Sequence, residues 1–224
     1  MPGVVVISFD HVASKTIAGH TLEALSAAGL RATLYVQAQL VGSKPWRSTT
    51  EHLQKLYDAG WDLGNHSWTH ARMAELPDDL IEDEIRLTDE FLGQHGFERG
   101  RRHFAYPCSS YDGRVIAALK KYCDTGRAVT GRVGPAKVAG DALYKLDCVS
   151  MKRDDPVSRG TAAVDKAACT GGAAHVMFEV IEEDPKSVEA YSLAKFLDFV
   201  AHVRNVRDEG GVEVLTLSEF YARA

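Results

Sequence analysis

The stretch VVVISF at residues 4–9 constrains the fold more than any other. Four of its six residues are β-branched and only Ser8 is polar. Such a strand must be covered on both faces, as in a parallel sheet flanked by helices. The rest of the chain alternates helix and strand patterns. Residues 14–28 carry helical spacing (Ile17, Leu22, Leu25, Ala28) and stop at Gly29, a helix-ending residue. RATLYV (31–36) reads as a strand, 49–59 as a helix closed by Gly60, and WDLGNH (61–66) as strand and turn. Residues 77–95 form a long amphipathic pattern with Pro77 near its first turn. HFAYP (103–107) is the next strand and 113–122 the next helix. TGRAVT (125–130) and LYKLDCVSM (143–151) read as strands, with 131–140 as a loop between them. A short helix at 164–170, a strand AAHVMFEVI (173–181), a helix at 192–206 and a strand VEVLTL (212–217) complete the chain.

This alternation predicts an α/β fold with a parallel sheet in one domain, residues 1–224. The number of strand–helix units favours a barrel, closed or incomplete, over an open sheet. Barrel chemistry sits at the C-terminal ends of strands. That rule collects Asp10 and His11, His66 and His70, residues 106–112, and Glu179 and Glu182 on one rim.

Composition removes other classes of function. A net charge of -5 argues against a nucleic-acid groove or an anionic membrane partner. No apolar run approaches the ~20 residues of a bilayer span. The first residues enter a strand directly, without a basic segment and apolar core of a leader. The chain as given therefore reads as cytoplasmic, or as one whose leader has been removed. Cys108, Cys123, Cys148 and Cys169 form no CxxC pair and read as free thiols, most of them buried.

NHSWTH (65–70) places two histidines four residues apart. One helical turn would turn both imidazoles the same way, a geometry that suits a divalent metal. The pair gains meaning from its neighbours. SFDH (8–11), NHSWTH (65–70), FAYPCSSYD (104–112) and VMFEVIEEDP (176–185) occur in the order of motifs in polysaccharide deacetylases. AGLRATLYV and LYDAGWDLGNHSWTH also resemble segments of that family, and the likeness runs over almost the whole chain.

The resemblance implies a polysaccharide-deacetylase-like catalytic domain, a distorted (β/α)7–8 barrel. It implies metal-dependent removal of N-acetyl groups from an amino-sugar substrate, or cleavage of a related small amide. In that scheme a divalent ion acidifies a water, a carboxylate is the general base, and a histidine protonates the leaving amine. Asp10 matches the base. His66 and His70 match two metal ligands. The family's second aspartate, the third ligand, is His11 here. Three histidines are a known zinc ligand set, so zinc is the expected metal; the other reading is a decayed site. The backbone N–H of Cys108 matches the oxyanion position, and Tyr106 and Pro107 a wall of the groove. An arginine that orients the base in many members is Ala105 here.

MKRDDP (151–156) offers Arg153, Asp154 and Asp155 for a poorly matched fourth motif. In the last motif Glu179 falls at or beside the acid histidine, and no imidazole stands there in either register. A carboxyl raised by burial can serve as a general acid. His175 lies too early on its strand for that role and reads as a packed histidine. Trp46 and Trp68 are candidate sugar-stacking walls, and Trp61 a core residue. The alternative to an active enzyme is an inactive relative that kept the groove as a carbohydrate-binding module.

Overall fold

In the computed structural model, which describes residues 1–11 and 15–223, β1 (Gly3–Asp10) is buried at every position. It is the centre of the sheet. β2 (Thr33–Val36), β3 (Asp62–Asn65), β4 (His103–Ala105) and β5 (Thr125–Arg127) follow on one side. β6 (Val149–Ser150) and β7 (Ala173–Phe178) lie on the other, giving the order β5-β4-β3-β2-β1-β7-β6. Every ladder in this sheet is parallel. One edge of β1 serves two partners. Its second half pairs with β2, from Ser8 to Asp10, while Gly3, Val4 and Val5 pair with β10 (Val212–Val214). A parallel bridge between Arg127 and Leu146 brings the far edges of the sheet toward each other. The sheet is thus curled into a distorted (β/α)7–8 barrel.

Helices cover the outside, as the fully buried first strand requires. They are α1 (His20–Ala27), α2 (Thr50–Asp58), α3 (Asp78–Gln94), α4 (Gly113–Leu119), α5 (Val157–Thr170) and α6 (Leu193–Asp208). The main core lies between sheet and helices. There Phe9 stacks on Trp61 with ring centroids 5.4 Å apart and meets Phe178 and Phe196. Burial of each such ring contributes roughly 1.5–3 kcal/mol. A second cluster fills the barrel interior with Val4, Val6, Tyr35, Ala105 and Leu146, capped by Leu217 and Phe220 of α7 (Leu217–Tyr221). Glycines make room for the large interior rings. A Cβ at Gly64 would lie 2.7 Å from the Tyr35 ring, and one at Gly126 2.4 Å from the Tyr106 hydroxyl.

Several elements differ from the sequence expectation. The first helix is two pieces, a 3-10 turn at Lys15–Ala18 and α1, separated by Gly19; Ser14, where it was expected to begin, lies outside the described residues. α5 starts at Val157, not 164. Its buried face is Gly160, Ala163, Val164 and Ala167, mostly residues too small to register as an apolar stripe. Gly160 packs within reach of Phe199, which a larger residue would displace. The strand expected at 173–181 breaks at Glu179. β7 ends at Phe178, and β8 (Val180–Glu182) leaves to pair with β9 (Ala190–Ser192) in a separate two-stranded sheet. Only the first three residues of LYKLDCVSM lie in a 3-10 stretch, Gly140–Lys145, and its strand shrinks to the two-residue β6. The last expected strand ends at Val214, and Leu217 opens α7 behind a Thr216–Glu219 capping box. Of the four thiols, two are buried (Cys123, Cys148) and two exposed (Cys108, Cys169).

Candidate active site

A cleft of about 470 Å³ opens at the C-terminal ends of the strands. Asp10, His11, His66, His70, Tyr106, Cys108 and Glu179 line it, with Ser150, Lys152 and Glu189 among the rest of its wall. The strand ends alone explain this convergence. Asp10 is the last residue of β1, His66 follows β3, Tyr106 follows β4, and Glu179 follows β7.

His66 and His70 do not share a helix. The segment between them is irregular, with Ser67 at φ 63° and His70 at φ 68°. Local hydrogen bonds hold this loop where helical bonds would have been. The Asn65 side-chain carbonyl accepts from Ser67 N–H at 2.9 Å, and Ser67 Oγ accepts from His70 N–H at 3.0 Å. Glu84, on α3, accepts from both the N–H and the hydroxyl of Thr69. Asn65 is itself fixed by donating to the Ile85 carbonyl. The two imidazoles therefore meet by loop geometry and not by helical period.

His11 joins them. One ring nitrogen from each of His11, His66 and His70 lies within 4.8 Å of the others. Ring centroids are 4.3 Å apart for His11–His70 and 4.8 Å for the other two pairs. The tautomer of His66 is set by its partner. Its Nδ1 is 2.9 Å from the Ala105 carbonyl, which only accepts, so Nδ1 carries the proton. Nε2 is then a buried lone pair, with no hydrogen-bond partner among the described residues. Leaving such an atom bare costs about 1–3 kcal/mol. All three imidazoles are pushed toward the neutral form. Burial comes first in each case, and neighbouring imidazoles add to it for His66 and His70; His70 falls to about 4. Three neutral nitrogen donors, one of them orphaned in a buried position, fit a divalent cation that favours nitrogen.

Asp10 lies beside them, 5% exposed. Its Oδ1 accepts from Arg127, and its Oδ2 is 3.9 Å from His66 Nε2. Motif matching does not find Arg127. It ends β5, is fully buried, and stacks on the Tyr35 ring, 4.9 Å from its centroid. It thus holds the carboxylate from a strand end neighbouring Ala105, where the arginine was absent. Its sequence signal is a guanidinium inside the otherwise strand-like TGRAVT; its place at the C-terminal strand end is visible only in the structure, where β5 stops at Arg127. Removing one partner of a buried pair of this kind costs about 3–5 kcal/mol.

Glu179 faces His11, with Oε2 3.7 Å from Nε2. Burial, followed by the charge of Asp10, raises its carboxyl to about 7. Cys108 is the middle residue of a turn at Pro107–Ser109, where Ser109 and Ser110 N–H bond back to the Tyr106 and Pro107 carbonyls. The N–H of Cys108 precedes those bonds and has no acceptor within the turn. His11, Ser67, His70, Cys108 and Ser109 are the non-glycine residues with positive φ among the described residues, and all belong to the cleft or its loop.

Other candidates lie elsewhere. Trp68 packs partly buried against the main core, and Trp46 is 58% exposed; neither lines the cleft. Trp61 is a core residue. Arg153 and Asp154 pair with each other on the surface, and it is Lys152 that reaches the cleft. Buried His175 packs edge-on against Phe220, away from the site.

The family model for polysaccharide deacetylases matches residues 1–123. The chain belongs to the polysaccharide deacetylase family. Solved structures with the same fold include a family 4 acetyl xylan esterase from Clostridium thermocellum in complex with a cobalt ion. It is 18% identical at TM-score 0.67, over 98% of this chain and 91% of that one. A family 4 carbohydrate esterase from Streptomyces lividans in complex with acetate is 21% identical at TM-score 0.61, over 94% and 90%. A CE4-family pseudoenzyme from Bacillus anthracis is 16% identical at TM-score 0.61, over 98% and 65%. No curated protein matches by sequence. Among the described residues no helix is long and apolar enough to cross a membrane.

Proposed function

We propose that this polysaccharide deacetylase family member is a metal-dependent hydrolase that removes N-acetyl groups from an amino-sugar substrate. The observation that carries the reading is the meeting of three neutral imidazoles beside a carboxylate already fixed by Arg127. His11, His66 and His70 would hold a divalent ion, with zinc the expected one for three imidazole donors. When bound, such an ion supplies Lewis acidity and makes a water acidic near neutral pH.

The chain's own residues supply the rest. Asp10 has one oxygen engaged by Arg127 and the other turned toward the histidines, so Oδ2 is the atom that takes the proton of the attacking water. The Cys108 N–H stabilises the oxyanion that forms on the acetyl carbonyl. Glu179, beside His11, gives a proton to the leaving amine; a bound cation favours its ionised form and limits that role. Tyr106, Cys108 and Ser109 line the wall against which the sugar would rest, while Pro107 is buried behind them and does not line the cleft.

Metal content is the direct test. About one zinc-like ion per purified chain is expected, lost in His66→Ala, together with acetate release from N-acetylated oligosaccharides. No metal after zinc loading would overturn the reading. Sugar binding without turnover would favour an inactive carbohydrate-binding relative instead, in which the His11 and Glu179 departures have ended catalysis.

A further inference from the structure

We propose that Gln37 is a positioning residue for His11, fixing the imidazole tautomer that presents Nε2 to the three-histidine site. The proposal rests on the metal-site reading above. β1 and β2 are paired with Asp10 opposite Tyr35, so the chain just beyond each strand runs side by side. This register brings Gln37 to His11. Gln37 is 5% exposed, and its side-chain Oε1 lies 3.4 Å from His11 Nδ1.

An amide oxygen only accepts, so the pairing requires the proton of His11 on Nδ1. Nε2 then carries a lone pair. That nitrogen faces the cleft, 3.7 Å from Glu179 Oε2. His66 uses the same device, with the Ala105 carbonyl on its Nδ1 at 2.9 Å. Two of the three imidazoles are therefore set by carbonyl oxygens behind them. The difference is that the His66 partner is backbone and cannot be changed by substitution, whereas the His11 partner is a side chain. The Gln37 bond is also the longer one, so it is the softer support of the cluster. A carboxylate at position 11 would have no tautomer to fix; an imidazole there does. Partners of this kind behind a metal-binding histidine change affinity by about 10- to 100-fold.

The experiment uses the full chain with zinc alone, by competition against a chelator, and 15N spectra of the metal-free histidine rings. In wild type His11 should show the Nδ1–H tautomer. Gln37→Met, similar in shape but with no oxygen, should lose that preference and weaken zinc binding about 10-fold or more. Gln37→Glu, which keeps an acceptor, should retain both. Wild-type zinc affinity in Gln37→Met, or His11 protonated on Nε2 in wild type, would overturn the proposal. Equal loss in both variants with a lowered unfolding midpoint would assign Gln37 to packing and overturn it as well. If wild type takes up no zinc while the ring spectra follow Gln37 as stated, the metal reading fails and the positioning role stands.

Discussion

The two ends of the barrel treat buried histidines in opposite ways. At the C-terminal end, His66 turns an unpartnered nitrogen toward two further imidazoles, and every positive-φ non-glycine residue described is gathered there. Toward the N-terminal end, His103 is 3.0 Å from the Thr125 hydroxyl and His175 lies edge-on to Phe220, under the apolar cap of α7. Burial lowers the proton affinity at both ends, to about 4 for His103 and about 3 for His175. Burial and a depressed pKa therefore do not distinguish a ligand from a packed ring. The distinction is made by an orphaned nitrogen, convergence with others, and strained backbone. Each strained residue costs of order 1–3 kcal/mol and persists only where surrounding structure enforces it. Here the enforcing structure is visible in the Asn65, Ser67 and Glu84 hydrogen bonds.

The largest effect that would break this contrast concerns Asp10. Asp10→Asn should lower hydrolysis by about 10²–10⁴-fold, with zinc content unchanged by elemental analysis, since the base is not a ligand. Full turnover by this variant would remove the C-terminal end from catalysis.

A second, smaller effect concerns the two departures from the family pattern. The sequence has imidazole where a carboxylate ligand is usual and carboxylate where the acid imidazole is usual, and the structure sets them face to face at 3.7 Å. His11→Asp alone should weaken zinc and move metal preference toward harder ions. The double variant with Glu179→His should recover part of the loss, with a coupling of roughly 0.5–3 kcal/mol, as expected for residues in contact. Strict additivity of the two changes, read from metal affinities in a double-mutant cycle, would show that the positions act independently.

The smallest effect is in the pH dependence of stability, and it belongs to the packed end. The folded values of His103 and His175 lie below the ~6.5 of free histidine, so the unfolded chain takes up protons first as pH falls. Their contribution is complete above about pH 6.5 and declines as pH falls toward the folded values. His175→Phe should flatten denaturant midpoints between pH 6 and about 4 without altering zinc affinity. An unchanged slope would mean that this ring titrates alike folded and unfolded.

Much of the molecule is determined by local sequence. The β-branched first strand forces cover on both faces, the strand–helix alternation forces a parallel sheet, and the rule of C-terminal strand ends brings Asp10, His11, His66, Tyr106 and Glu179 to one rim. What tertiary structure alone decided depends on contacts between distant residues. Arg127 reaches Asp10 across 117 positions of sequence. The histidine loop is shaped by Glu84 on a helix, not by helical spacing. The strand expected through Glu179 ends at Phe178, and Val180 pairs instead with Ala190 in a separate sheet. Trp46 and Trp68 show the converse: aromatic character is local, but whether a ring faces a groove, the core or solvent is set by what packs around it. Periodicity is written in neighbouring residues. The pairing of a buried charge or the orientation of an imidazole is fixed only when the barrel closes around it.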